Sequence, residues 1–119
     1  MSESAAVEIV IVLDSTAPGA LAEFWAEALR YRRRDAVEQY EVLVPQEGAS
    51  GPVLLIQGVA EPKSGKNRMH LDLHVPDVPA EVERLTALGA TRQGDGELGP
   101  ISWVRMSDPE GNEFDLAPQ

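Results

Sequence analysis

Lys66-Asn67-Arg68-Met69-His70-Leu71-Asp72-Leu73-His74-Val75-Pro76-Asp77 is the stretch that decides how the rest of the chain is read. From Met69 to Val75 apolar and polar residues alternate without a break, the period of an extended strand with two unlike faces. Met69, Leu71, Leu73 and Val75 predict the dry face. His70, Asp72 and His74 share the other, and the chain has no further histidine. A fully solvated sheet face more often carries threonine, lysine or glutamate there. Two imidazoles flanking a carboxylate therefore point to a lined cavity.

Downstream, Asp77 is placed to cap a helix whose buried stripe is Val78, Val82, Leu85 and Leu88, and Gly89 ends it. Residues 90–93 read as a short extended piece, 94–100 as a glycine-bearing loop and 101–107 as a strand. Asp108-Pro109-Glu110-Gly111-Asn112 supplies proline and glycine for a tight turn before a last strand over 113–117. Upstream, residues 7–13 predict a first strand, with Val7, Ile9, Ile11 and Leu13 on one face and Glu8, Val10, Val12 and Asp14 on the other. Ser15-Thr16-Ala17-Pro18 offers hydroxyl caps and a proline suited to the first helical turn. Leu21, Phe24, Trp25, Ala28 and Leu29 then fall on one helical stripe, which assigns both aromatics to core packing. Extended pieces follow at 31–35, 38–44 and 53–58, separated by the turn residues of 45–52. The polar run 61–66 marks a boundary. Strand, helix and three strands thus occur twice, at an offset of roughly sixty residues, as a repeat of pattern more than of identity.

A length of 119 residues suits one domain with a real core. Acids outnumber bases 20 to 10, and the resulting charge of −10 argues against a nucleic-acid or anionic-membrane partner, whose phosphates would be repelled. Arginines 30, 32, 33 and 34 form one basic knot, read as a solvated helix end that complements the dipole. With no cysteine there is no disulfide framework, thiolate metal site or thiol nucleophile, and a reducing cytoplasm is the expected location. Residues 1–6 carry no basic or apolar run of the kind a signal peptide needs and are expected to fray. No window approaches the ~20 apolar residues that would span a bilayer.

Three pieces carry a family resemblance: Leu13-Asp14-Ser15 through Ala22-Glu23-Phe24-Trp25 with Leu29; Lys66 to Leu73 through Asp77 and Leu88-Gly89-Ala90; and Asp108-Pro109-Glu110-Gly111-Asn112-Glu113-Phe114-Asp115-Leu116. In that order they resemble the vicinal-oxygen-chelate superfamily, which joins glyoxalases, bleomycin-resistance proteins and extradiol dioxygenases, and within it the small glyoxalase-like domains. The resemblance implies an α+β fold of two βαβββ modules, about 7–58 and 68–117 with a linker at 59–67, forming a half-open curled sheet, or cup, with helices outside. It implies a homodimer, and a small oxygenated organic molecule bound in the cup beside one divalent metal ion. Its metal positions fall on Val10, Gln57, His70 and Asp115, and Val10 departs from the pattern because it has no donor atom.

Imidazole, carboxylate and amide oxygen together could hold zinc, iron, nickel or manganese, so His70, Asp115 and Gln57 are the candidate metal ligands, and His70 and Asp115 the candidate catalytic pair. The alternative is that His70 and Asp115 simply hydrogen-bond across the cup, with or without a role as general base. Trp103 shares a strand face with Ile101 and Arg105, where the indole could stack on a planar ligand and the guanidinium pair with an anion. Val10, Val12, Leu55, Asp72 and His74 complete the candidate ligand-binding set. Lys66 and Arg68, at the mouth of the strand, would favour an anionic ligand. Two functions compete: a metal-dependent lyase, isomerase or dioxygenase, and a metal-free protein that binds or sequesters an antibiotic-like small molecule.

Overall fold

Residues 8–119 are described by a computed structural model, and their contacts divide them into two units between Ala60 and Glu61. Val7 and residues 1–6, assigned above to the first strand and to a frayed start, lie outside the described residues. The first unit runs β1 (Val10–Ser15), α1 (Pro18–Leu29), β2 (Arg32–Val37), β3 (Tyr40–Val44) and β4 (Val53–Gly58). The second runs β5 (Leu71–Val75), α2 (Val78–Ala87), β6 (Thr91–Leu98), β7 (Ile101–Ser107) and β8 (Glu113–Pro118). Each is the expected βαβββ unit, and the described strands form two separate four-stranded sheets with no closed barrel.

In the first sheet the order is β1-β4-β3-β2, with β1 parallel to β4 and the remaining pairs antiparallel. A parallel neighbour cannot be reached by a hairpin, so the chain crosses through α1 and two strands before returning beside β1. Helix α1 packs on β3 and β4, and Leu21, Phe24, Trp25, Leu43, Leu54 and Ile56 make the core. Phe24 and Trp25 meet edge to face with centroids 5.3 Å apart, the arrangement that aromatic quadrupoles favour.

The helix start differs from expectation. Ala17 is the N-cap and no side chain caps it; Ser15, the buried last residue of β1, accepts the Ala17 N–H at 2.9 Å instead. Its hydroxyl closes the turn before the helix begins. At the other end Arg30 adopts φ +56°, where Tyr31 N–H reaches the Ala26 carbonyl and Arg30 N–H the Glu27 carbonyl, a Schellman closure built without glycine. Only Arg30 therefore belongs to the helix end. Arg32, Arg33 and Arg34 lie in β2, an exposed edge strand, where charge discourages pairing with another chain.

The second sheet has the order β5-β8-β7-β6, with β5 parallel to β8. Leu85 of α2, Met106, Phe114 and Leu116 are almost fully buried. Asp77 caps α2 as the sequence predicts, accepting the Ala80 N–H at 3.1 Å, and Gly89 follows with φ +117°. Two boundaries move. Strand β5 begins at Leu71, so Met69 is 83% exposed and not part of a dry face, and His70 stands just ahead of the strand. Likewise Ile9 precedes β1 and is 69% exposed. Residues 94–98, read above as loop, belong to the long strand β6; the indole of Trp103 occupies the place of a Gly96 side chain, Gly94 sits at a register shift of the β6–β7 pair, and the turn is confined to Gly99 and Pro100.

Asp108 organises the β7–β8 turn. Its Oδ1 accepts the backbone N–H groups of Glu110 and Asn112, both at 2.9 Å, and the Asn112 amide at 3.0 Å, while Gly111 takes φ +88°. The carboxylate is nearly buried, so removing it strands donors that water cannot reach. Asp108→Ala is expected to lower the unfolding free energy by about 2–4 kcal/mol in urea titration. A loss below roughly 0.5 kcal/mol, the range of ordinary surface changes, would contradict this role.

Candidate metal and ligand site

The face of the second sheet turned away from α2 is organised in rows across the strands. Asp72 of β5 stands opposite Asp115 of β8, and Asp115 opposite Arg105 of β7. One step along, His74 pairs with Ala117 and Trp103 with Gly96. The strand period therefore brings Asp72, His74, Trp103, Arg105 and Asp115 to one surface, and the residue ahead of β5 adds His70. They line a groove of about 570 Å³.

Two carboxylates directly opposite on neighbouring strands repel. Arg105 Nε lies 3.3 Å from Asp115 Oδ1, and His70 Nδ1 lies 2.9 Å from Asp72 Oδ1 and 3.7 Å from Asp115 Oδ2. The imidazole thus lies closer to Asp72, where the sequence paired it with Asp115. Donor atoms of His70, Asp72 and Asp115 all fall within 4.8 Å of one another. Asp115 is the buried member, its side chain 8% exposed, whereas His70 and Asp72 are open to solvent.

This donor set fits a divalent cation. One imidazole nitrogen and two carboxylate oxygens suit zinc, iron, nickel or manganese, and Arg105 engages one oxygen of Asp115 while the other faces His70. Asp72, placed by the sequence among ligand-binding residues, is the third member of the group. Its signal was the i, i+2 spacing from His70.

His70 lies outside the ladder and is positioned by a clamp the sequence reading missed. Glu113, the first residue of β8, accepts the Asn67 N–H at 3.2 Å through Oε2, and its backbone carbonyl accepts the Asn67 side chain at 3.3 Å. Lys63 Nζ approaches Oε1 at 3.0 Å, outside hydrogen-bond alignment for that oxygen, so the contact is foremost an ion pair; Lys66 Nζ lies 4.0 Å from Oε2. Lys63 also donates to the Gly65 carbonyl. The spacing of 113 from 115 places Glu113 on the site face, a signal present in the sequence. Lys66 and Arg68 are both exposed, with Lys66 at the edge of the Glu113 charge.

The other candidates belong to the first unit. Val10 pairs with Val53, Val12 with Leu55 and Asp14 with Gln57, so Val10, Val12, Leu55 and Gln57 share the face of that sheet opposite α1. Val10 and Val12 are 43% and 49% exposed, and Gln57 is half-buried. This face is largely apolar, in contrast to the ionised face of the second unit.

Two βαβββ units, each carrying a parallel first and last strand and an open sheet face, define the vicinal-oxygen-chelate class. The glyoxalase-like domain model matches residues 10–117, and the chain belongs to that family. Among solved structures it is similar to a glyoxalase/bleomycin resistance protein/dioxygenase family enzyme from Burkholderia phytofirmans, at 16% identity over 92% of this chain and 95% of that one with a TM-score of 0.75. The fosfomycin resistance protein FosX from Listeria monocytogenes matches at 13% identity over 98% and 95%, TM-score 0.77. Lactoylglutathione lyase from Agrobacterium tumefaciens matches at 15% over 98% and 96%, TM-score 0.67. No curated protein matches the sequence.

Lys63, the Asn67 N–H and the ion-pair field hold the Glu113 carboxyl below its ordinary value of 4.5, the Lys63 contact contributing most. A depressed folded value means stability that is fully present above pH ~4.5 and lost as pH falls through the folded value. In thermal melts stepped from pH 5 to pH 3, Glu113→Gln should lose less of its Tm on acidification than the native chain. Parallel losses would show that the clamp carries no ionic component.

Proposed function

We propose that the protein binds a small oxygenated organic molecule in the groove of its second unit, beside a divalent cation held by His70, Asp72 and Asp115, and turns it over as a lyase, isomerase or dioxygenase. The single observation that carries this reading is the convergence of those three donor groups within 4.8 Å at the end of a groove. A cation there would supply Lewis-acid polarisation of the ligand's oxygens.

The chain's own residues prepare that role. Arg105 fixes the orientation of Asp115 and offsets part of the repulsion between Asp115 and Asp72. Asp72 holds the His70 ring by its Nδ1 edge until a cation competes for the same nitrogen, and Glu113 holds the segment from which His70 projects. Trp103 and Ile101 line one side of the groove.

A second reading, metal-free binding or sequestration, is favoured by Val10, an apolar side chain at a position where the resemblance implies a metal ligand. It is favoured too by the Arg105–Asp115 pair, which already satisfies one carboxylate without a cation. Pairing of two copies is part of the proposal, supported by Ile9, Leu98 and Ile101, which are 69%, 70% and 57% exposed. Among the described residues no helix is long and apolar enough to cross a membrane, and the lack of cysteine suits the cytoplasm.

Elemental analysis of protein purified without chelator distinguishes the two readings. Metal near one equivalent per chain, falling by about tenfold or more in both His70→Ala and Asp115→Ala, is the expected result. Metal-free native protein that still gains thermal stability from added small molecules would select the second reading.

A further inference from the structure

The open face of the first sheet is apolar over three strands and basic at the fourth. Register places Val12, Leu55, Val42 and Arg34 in one row across β1, β4, β3 and β2. In the neighbouring row Val10 stands beside Val53, and Val44 beside Arg32. Val10 and Val12 are 43% and 49% exposed, and Val42, Val53 and Leu55 are half-buried, so the described residues leave these rows partly open to water. Contiguous exposed hydrocarbon rimmed by polar groups marks a surface that binds something.

The charge at the rim selects the occupant. In a chain of net charge −10, all four bases of residues 1–60 fall between Arg30 and Arg34. Arg33, opposite the core residue Leu43, faces the α1 side and pairs there with Glu41 at 2.5 Å. Arg32 and Arg34 remain for the open face. Arg32 gives only its Nε to the Pro45 carbonyl, at 3.3 Å, and Arg34 has no ion-pair or hydrogen-bond partner among the described residues. Asp14 stands on β1, at the opposite edge of the same face.

We infer that the open face of the first unit binds a small amphiphilic anion, a carboxylate or sulfonate on an unbranched apolar tail. The head lies at Arg34 and Arg32, where guanidinium offers charge-assisted hydrogen bonds. The tail crosses Val42 and Leu55 to Val12, a reach of ~14 Å over three strand spacings, which suits a medium-length acyl chain. Asp14 repels an anion laid the other way round, so the face has a direction. None of the donor-cluster residues takes part, and the first unit binds its anion with or without a metal in the second.

Calorimetric titration of EDTA-treated protein with decanoate, decylammonium and propanoate, each below its micelle concentration, tests this. Decanoate should bind at least about tenfold more tightly than either control, because it alone carries both the tail and the anion. Arg34→Gln should weaken decanoate about threefold or more, and Val12→Asp about tenfold. Both variants should keep the metal content of the native chain, and thermal melts verify that they are folded. Arg34 is exposed, so its variant decides the matter should Val12→Asp not fold. Decanoate that binds no better than the two controls, or that binds Arg34→Gln as tightly as the native chain, overturns the inference. So does a native dimer that Val12→Asp splits into monomers, since a second copy then covers the face. Native protein without metal sinks the metal reading instead, and the decanoate comparison stands apart from it.

Discussion

The repulsion between Asp72 and Asp115 is the constraint to which the second unit answers. Parallel pairing of β5 with β8 sets the two carboxylates side by side, and like charges opposite one another cost stability. Several neighbours respond: Arg105 on the next strand, the His70 ring ahead of β5, and beyond it the Glu113 clamp that keeps the His70 segment close. Each is small in energy, because partly exposed ion pairs contribute little on their own. Together they hold an arrangement that sheet pairing alone would disfavour, and such arrangements are where chemistry concentrates.

The first unit repeats the plan without the constraint. Its parallel pair, β1 with β4, brings valines and leucine to the open face, with Asp14 and Gln57 at one end. Nothing there requires a compensating cation. The identical connectivity of the two units and the opposite chemistry of their faces show how little the βαβββ frame dictates about function.

Much of the fold was legible because its signals are local. Alternation exposed β5 and β7, the Leu21-Phe24-Trp25-Ala28 stripe exposed α1, and Asp77 and Gly89 bracketed α2 within a residue. The face shared by Asp72, His74, Trp103, Arg105 and Asp115 could be read as well, since strand period and pairing leave no freedom once the strands are placed. The misreadings have physical causes of their own. Gly94 and Gly96 suggested a loop, whereas Gly96 is small because an indole from β7 occupies the place of its side chain, a fact that belongs to the tertiary structure. The arginine run suggested a helix end, but strand β2 begins two residues after Arg30. His70 was taken as part of the ladder, and the contacts that hold Asn67, three residues ahead of it, come from 46 residues away in sequence, beyond the reach of any local pattern.

Each sheet spends one face on its helix and keeps the other free, and Leu43, Leu54 and Ile56 in one unit are matched by Met106, Phe114 and Leu116 in the other. Substitution on the free faces therefore leaves the helix-covered core of each sheet in place. A lineage built on such a frame can exchange donors for hydrocarbon on either face, one residue at a time, and remain viable throughout. Divergence of chemistry over a steady backbone, with identities as low as those seen among the relatives, is the evolutionary outcome such a division of labour permits.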